Sequence, residues 1–236
     1  MRELIDLHTH TVSSGHAYST VKENIDSASN KGLRYLGISD HAPQMPGSAH
    51  IFHFHNLRVI PKEINNVRTL VGAEVNILDY EGNLDLIDKD LEMLDYAIAS
   101  LHATCIASGT EEENTIAVIN AMDRPNIKII GHLDDARYPV NYEKVVKAAK
   151  EKGVLLELNN SSLKPNGFRK GALENDTKML NICKKEKVKI IFGSDAHICY
   201  DIGKFDNCIK LVKELDFPEE LIVNYNEDDI KEIFKV

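Results

Sequence analysis

Short apolar runs recur along the chain and alternate with stretches whose apolar residues return at helical spacing. This rhythm predicts βα units built around a mainly parallel sheet. Seven runs read as strands: Leu4–Leu7, Tyr35–Ser39, Thr69–Ala73, Tyr96–Leu101, Lys128–Gly131, Val154–Leu158 and Lys189–Gly193. Between them, Thr20 with Glu23 and Thr110 with Glu113 fit a capping box, in which side chains satisfy free amides of the first helical turn. Gly32 and Gly153 stand where helices should end, as residues that accept a left-handed conformation. The stretch from Asn226 to Phe234 has an N-cap residue, acids in its first turn and a late lysine, and predicts a closing helix. No Pro/Gly-rich linker, charge block or low-complexity stretch divides the chain, so residues 1–236 are expected to form one domain. The local pattern leaves two architectures open, a closed barrel of seven units and an open, doubly wound sheet.

What stands at the end of each strand carries the chemistry. The first strand runs into Asp6-Leu7-His8-Thr9-His10, the second into Ser39-Asp40-His41 and the third into Gly72-Ala73-Glu74. The fourth ends at His102, the fifth at His132 and the seventh at Gly193-Ser194-Asp195-Ala196-His197. Potential metal ligands thus gather at carboxyl ends of strands, where parallel barrels and α/β sheets place their active sites. Alternate residues of an extended segment point the same way, so His8 pairs with His10 and Asp195 with His197. Any one of these histidines would ordinarily be a hydrogen-bonded core or surface residue. Their repetition at strand ends is what argues for a metal cluster, because charged groups in a cleft are costly unless paired or metal-bound. Imidazole with carboxylate suits zinc, manganese or iron rather than calcium or magnesium. A further group, His50, His53 and His55, falls in the long connection after the second strand and reads foremost as a loop over the site.

Composition narrows the partners. With 43% hydrophobic and 28% charged residues, the 236-residue chain is an ordinary globular protein of barrel size. A net charge of −9 disfavours an extended polyanion such as duplex DNA, while bound cations could reverse the sign locally for a small anionic substrate. Cys105, Cys183, Cys199 and Cys208 lack the spacing of a zinc site or a disulfide scaffold and are expected to be reduced thiols. No apolar run of membrane-spanning length or signal-like opening is present, so cytoplasmic residence and no membrane partner are expected.

These residues together resemble the PHP (polymerase and histidinol phosphatase) domain family, closest to its small stand-alone bacterial phosphatases of the YcdX type. The likeness runs through Asp6-Leu7-His8-Thr9-His10-Thr11, Ser39-Asp40-His41-Ala42-Pro43, Gly72-Ala73-Glu74-Val75-Asn76, Gly131-His132, Asn159-Asn160-Ser161-Ser162, Arg169-Lys170-Gly171 and Gly193-Ser194-Asp195-Ala196-His197. It implies a distorted seven-stranded, TIM-like (β/α) barrel with three divalent metal ions at its carboxyl-terminal face, zinc first, with manganese or iron as alternatives. By the same likeness, His8, His10, Glu74 and Asp195 hold one metal; Glu74, His102 and His132 hold a second; His16, His41 and His197 hold a third. One departure from the family pattern is Leu133-Asp134-Asp135-Ala136-Arg137 after His132, which bears on one wall of the substrate site.

The expected activity is hydrolysis of phosphate monoesters of small metabolites, with hydroxide supplied at the metals as nucleophile. Glu74, Asp195 and His197 are the expected catalytic residues, with Arg169, Lys170 and Ser161 as substrate contacts. Arginine suits the task because its planar fork matches phosphate oxygens. Asp40 reads either as a partner that orients a ligand imidazole or as a turn residue that caps the next helix. Two other functions stay in view: a phosphodiesterase or nuclease acting on nucleic-acid ends, which a basic track would favour, and a non-catalytic metal-bound scaffold, which missing ligands would favour. The oligomeric state is left open.

Overall fold

The computed structural model describes residues 2–165 and 167–236. Its parallel strands are β1 (Ile5–Asp6), β2 (Tyr35–Ile38), β4 (Val67–Asn76), β5 (Tyr96–Ser100), β6 (Ile127–Ile130), β7 (Leu155–Asn159) and β8 (Ile190–Gly193). They follow one another in the order β1-β2-β4-β5-β6-β7-β8, all parallel. The last strand returns to the first through a parallel bridge between Thr9 and Ala196, where the amide of His10 donates to the carbonyl of Ala196 at 2.9 Å. The sheet is therefore a nearly closed seven-stranded barrel rather than an open, doubly wound sheet. All seven sequence-predicted strands are present to within about two residues, except that β4 is longer at both ends. A short β3 (Glu63–Ile64) pairs antiparallel with the start of β4, and the sequence reading did not anticipate it.

The helices are α1 (Val21–Lys31), α2 (Ile51–Asn56), α3 (Asp88–Leu91), α4 (Glu111–Ala121), α5 (Tyr142–Lys152), α6 (Ala172–Glu186), α7 (Asp206–Glu214) and α8 (Glu227–Phe234). Both capping boxes form as the sequence predicts, Thr20 with Glu23 and Thr110 with Glu113. Gly32 and Gly153 end α1 and α5 at φ of 72° and 67°. No helix among the described residues is long and apolar enough to cross a membrane.

Two apolar layers position the site. Ile5, Tyr35, Leu70, Ile98, Ile129, Leu155 and Ile191, one from each parallel strand, meet in the barrel interior together with Ile230 and Phe234 of α8. Tyr35 and Leu155 open their strands, so α8 seals the amino-terminal end. A second layer fills the space between sheet and helices, with Leu91, Val118, Val146 and Leu180 against Val75, Ala97 and Leu156. Apolar burial thus occupies the bottom and the flanks of the barrel, and the carboxyl ends of the strands are left to polar side chains.

Candidate metal centre

Glu74, near the end of β4 and fully buried, is the hub of the carboxyl-terminal face. Its Oε1 lies 2.8 Å from His132 Nε2 and 3.2 Å from His102 Nε2. Its Oε2 lies 2.7 Å from His41 Nδ1, 3.4 Å from His8 Nε2 and 3.5 Å from His10 Nε2. Opposite stands Asp195, whose Oδ1 is 3.6 Å from His8 Nε2, 3.4 Å from His10 Nε2 and 3.4 Å from His197 Nδ1. The rings of His16, His41 and His197 gather beside them, with centroids 5.0 Å apart for His16 and His41 and 4.8 Å for His16 and His197.

The donor set fits metal ions on two observations. His8 Nε2, His10 Nε2, His41 Nδ1 and Glu74 Oε2 are buried and make no well-aligned hydrogen bond among the described residues, although His41 Nδ1 and Glu74 Oε2 lie 2.7 Å apart. Four such atoms left bare would be a heavy desolvation cost, which a cation between them removes. Spacing agrees: bonds of roughly 2.0–2.2 Å in a tetrahedral zinc site put neighbouring ligand atoms roughly 3.3–3.6 Å apart. The four histidine-to-carboxylate separations among His8, His10, Glu74 and Asp195 run from 3.4 to 3.6 Å.

The histidines are also held in the right tautomer. His8 Nδ1 lies 2.6 Å from Glu157 Oε1, and a carboxylate can only accept, so Nδ1 carries the proton and Nε2 keeps its lone pair for the site. Ser14 donates its single hydroxyl proton to Asp40 at 2.7 Å, so the 3.1 Å contact of Ser14 Oγ with His10 Nδ1 has the imidazole as donor. His102 Nδ1 meets Asn76 Oδ1 at 2.7 Å, with the Asn76 amide anchored on Asp85. His197 Nδ1 meets the backbone carbonyl of Asp195 at 3.1 Å. In all four, the partner of one nitrogen presents the other, as outer partners of metal-binding imidazoles do.

Burial and mutual repulsion hold several imidazoles neutral. Burial, then His41, lowers the pKa of His10 to about 3, and burial lowers that of His102 to about 4. Burial and the neighbouring His41 also lower His16. For Glu74 and Asp195, burial favours the neutral acid, but the surrounding histidines, with Arg169 in the case of Asp195, outweigh it and hold both carboxyls well below their ordinary range. The backbone is bent to serve the site as well: His132 and Asp195 adopt φ of 23° and 54°, a region that costs a non-glycine residue about 1–3 kcal/mol. Gly193 stands where a Cβ would lie 1.9 Å from Glu157 Oε1, so the absence of a side chain is what lets that carboxylate reach His8.

The structure thus brings His8, His10, His16, His41, Glu74, His102, His132, Asp195 and His197 to one face. His16 is the most peripheral, exposed at the rim. Arg169 lines the cavity above the centre, bonded to Asp195 Oδ2 through both terminal nitrogens at 3.2 Å and to Ser162 Oγ at 2.9 Å. Lys170 is exposed and outside that cavity; Ser161 makes no side-chain bond among the described residues, and its neighbour Ser162 bonds Arg169 instead. Asp40 accepts from the amide and hydroxyl of Thr11 and from Ser14, each at 2.7 Å, and so acts on His10 through Ser14 rather than capping a helix. His53 touches Asp40 at 3.1 Å, His55 pairs with Asp90 at 2.9 Å, and His50 caps α2. The four cysteines are unpaired.

Sequence reasoning passed over Glu157, which also accepts from the amide of His132 at 2.8 Å. The signal was present: Glu157 is the one charged residue in the apolar run Val154–Leu158, and a lone charge in a buried strand requires a partner.

Residues 6–161 match the family model described as PHP domain. A protein of Clostridium botulinum named a probable phosphatase is 49% identical over 235 residues, covering 100% of this chain and 96% of its own. Among solved structures, the histidinol phosphate phosphatase of Lactococcus lactis, complexed with zinc, L-histidinol and phosphate, superimposes with a TM-score of 0.63 at 17% identity, over 92% of this chain and 95% of that one. A chain of an archaeal ribonuclease P bound to mature tRNA gives a TM-score of 0.60 at 16% identity, over 98% and 90%, so the fold is shared by proteins with different tasks. With the family model spanning most of the barrel and near-complete alignment to relatives of almost half-identical sequence, this chain belongs to the PHP-domain family.

Proposed function

We propose that this protein is a metal-dependent phosphatase that hydrolyses phosphate monoesters of small metabolites at a centre of three divalent transition-metal ions, zinc foremost. The observation that carries this reading is the convergence of orphaned buried nitrogens and carboxylate oxygens around Glu74. The probable-phosphatase relatives and the zinc and phosphate of the Lactococcus enzyme support it. His8, His10, Glu74 and Asp195 would hold one ion, Glu74 with His102 and His132 a second, and His41 with His197 and His16 a third. When bound, such ions neutralise phosphoryl charge and make water acidic enough to act as a nucleophile near neutral pH.

Arg169 binds the phosphoryl oxygens, and Asp195, Ser162 and Asn159 keep its guanidinium in place. Glu157 and Ser14 orient His8 and His10 through their Nδ1 protons. In the reaction, a water oxygen bonds to phosphorus, the ester P–O bond breaks, and the departing alkoxide takes up a proton derived from water. The acidic net charge of −9 does not favour a nucleic-acid substrate.

Glu74→Gln is the test. It keeps the side-chain shape and removes the charge shared by the proposed first and second metal groups. The expected result is a folded protein that loses about two of three metal equivalents and several orders of magnitude of phosphate-ester turnover. Full metal content with near wild-type hydrolysis would sink the reading.

A further inference from the structure

Above the proposed metal centre lies a cavity of about 360 Å³, at the small end of the roughly 300–1,000 Å³ typical of ligand sites. Its floor is polar, with His41, His102, His197, Asp195 and Arg169, and His16 stands at its rim. Its wall is different in kind: Met45, Pro46, Ala103 and Phe168 line it, with Thr104 turning its hydroxyl to Met45 Sδ at 3.3 Å. Asp195 is the one acidic side chain of the lining, and it is held by Arg169 on the floor.

Phe168 is 79% exposed, the most exposed large apolar side chain among the described residues. It is nevertheless supported, because the Arg137 guanidinium carbon stands 4.4 Å from its ring centroid and Arg137 is itself pinned by two-point bonding to Asp135. Arg137 lies outside the cavity lining, so the ring is braced from behind while presenting to the cavity.

We propose that Phe168 and Met45 form a leaving-group subsite, and that the substrate is a phosphate monoester of an uncharged alcohol bearing a flat apolar or aromatic group. This rests on the phosphatase reading, since it assigns the other half of the same substrate. A phosphate held at Arg169 leaves its ester group to the rest of the lining, whose apolar part is Met45, Pro46, Ala103 and Phe168. A cationic leaving group would find no free carboxylate there, whereas a ring gains a face on Phe168 and the polarisable sulfur of Met45.

The test is binding of non-hydrolysable phosphonates to the metal-loaded protein by calorimetry, alongside turnover of the matching esters. Benzylphosphonate is expected to bind about 3- to 10-fold more tightly than methylphosphonate, the ratio one aromatic contact supplies. 2-Aminoethylphosphonate should gain nothing over methylphosphonate. Phe168→Ala should bring the benzyl-to-methyl ratio close to unity and Phe168→Leu should restore part of it; the exposed position makes misfolding of either variant no obstacle. Equal binding of benzyl- and methylphosphonate while esters are hydrolysed, or a ratio that Phe168→Ala leaves unchanged, overturns this inference alone. Binding of no phosphonate and hydrolysis of no ester overturns the phosphatase reading and this inference with it.

Discussion

His8 and Glu157, 149 positions apart in the chain, meet through Nδ1 and Oε1 at 2.6 Å with both side chains 1% exposed. The carboxylate has no direct path into the metal centre, since its other oxygen is taken by the amide of His132 and by Asn159. Its effect on the site passes through the imidazole it orients.

Glu157→Gln should therefore weaken metal binding by about 10- to 100-fold, the usual consequence of removing an outer partner of a ligand histidine. A chelator-competition titration measures it, with circular dichroism confirming the fold. Unchanged metal affinity would reduce Glu157 to a packing role.

Metal loading should release protons at neutral pH. Burial alone would lower the pKa of His8, but Glu157, Glu74 and Asp195 outweigh it and raise it, so without metal Nε2 holds more tightly the proton that a ligating imidazole must lack. A cation must displace that proton. Calorimetric titration with zinc in buffers of different ionisation enthalpy should show heats that vary with the buffer; identical heats would contradict it. His10 and His102 behave oppositely, with values depressed to about 3 and 4. As pH falls below about 6.5, the unfolded chain takes up protons that these folded residues refuse. Metal-free protein should thus lose stability toward acid by about 1 kcal/mol per pH unit for each group.

Asp40 offers a test of the support beneath His10. Burial would raise its pKa, but bonds from His53, Thr11 and Ser14 bring it down to about 2. A depressed carboxyl contributes stability above its unfolded value near 4 and loses it as pH falls through about 2. Asp40→Asn should cost on the order of 2 kcal/mol at pH 7, and its difference from wild type should shrink at pH 3. Urea unfolding at the two pH values makes the comparison.

How much of this could be read beforehand follows from the physics of each element. Strands and capped helices were legible because burial and capping act over a few residues, as Thr20 with Glu23 shows. All the ligands but His16 could be read as a set because they stand at strand ends; His16 lies in the connection between β1 and α1 and was reached only through the family resemblance. Closure of the barrel was not legible locally, since the bridge between Thr9 and Ala196 joins distant segments. The partners of the ligands were hidden for the same reason: Asn76 serves His102 and Glu157 serves His8, each through a long-range contact with no spacing rule. Antiparallel β3 escaped notice because Glu63-Ile64 is too short to show a period.

Arg169 separates a substrate role from a structural one. Three of its five N–H donors go to protein partners, two to Asp195 and one to Ser162, which leaves two uncommitted among the described residues. Burial disfavours its charge, but Asp195 and then Asp134 more than compensate, so it stays cationic at the edge of the cavity. A phosphate arriving there meets a fixed charge with free donors, an interaction that grows as charge builds on the phosphoryl oxygens. Arg169→Ala should lower kcat/KM for phosphate esters by about 10²-fold, in keeping with loss of one charge-assisted contact at the transition state, and should weaken inhibition by inorganic phosphate. Arg169→Lys keeps the charge without the fork and should recover part of the loss. Metal content is expected to stay close to wild type, because Asp195 faces the centre with Oδ1 while Arg169 holds Oδ2. Elemental analysis and kinetics on the same preparation decide the matter. If metal is lost in proportion to activity, Arg169 acts by holding Asp195 in place, and phosphate must be gripped by other groups.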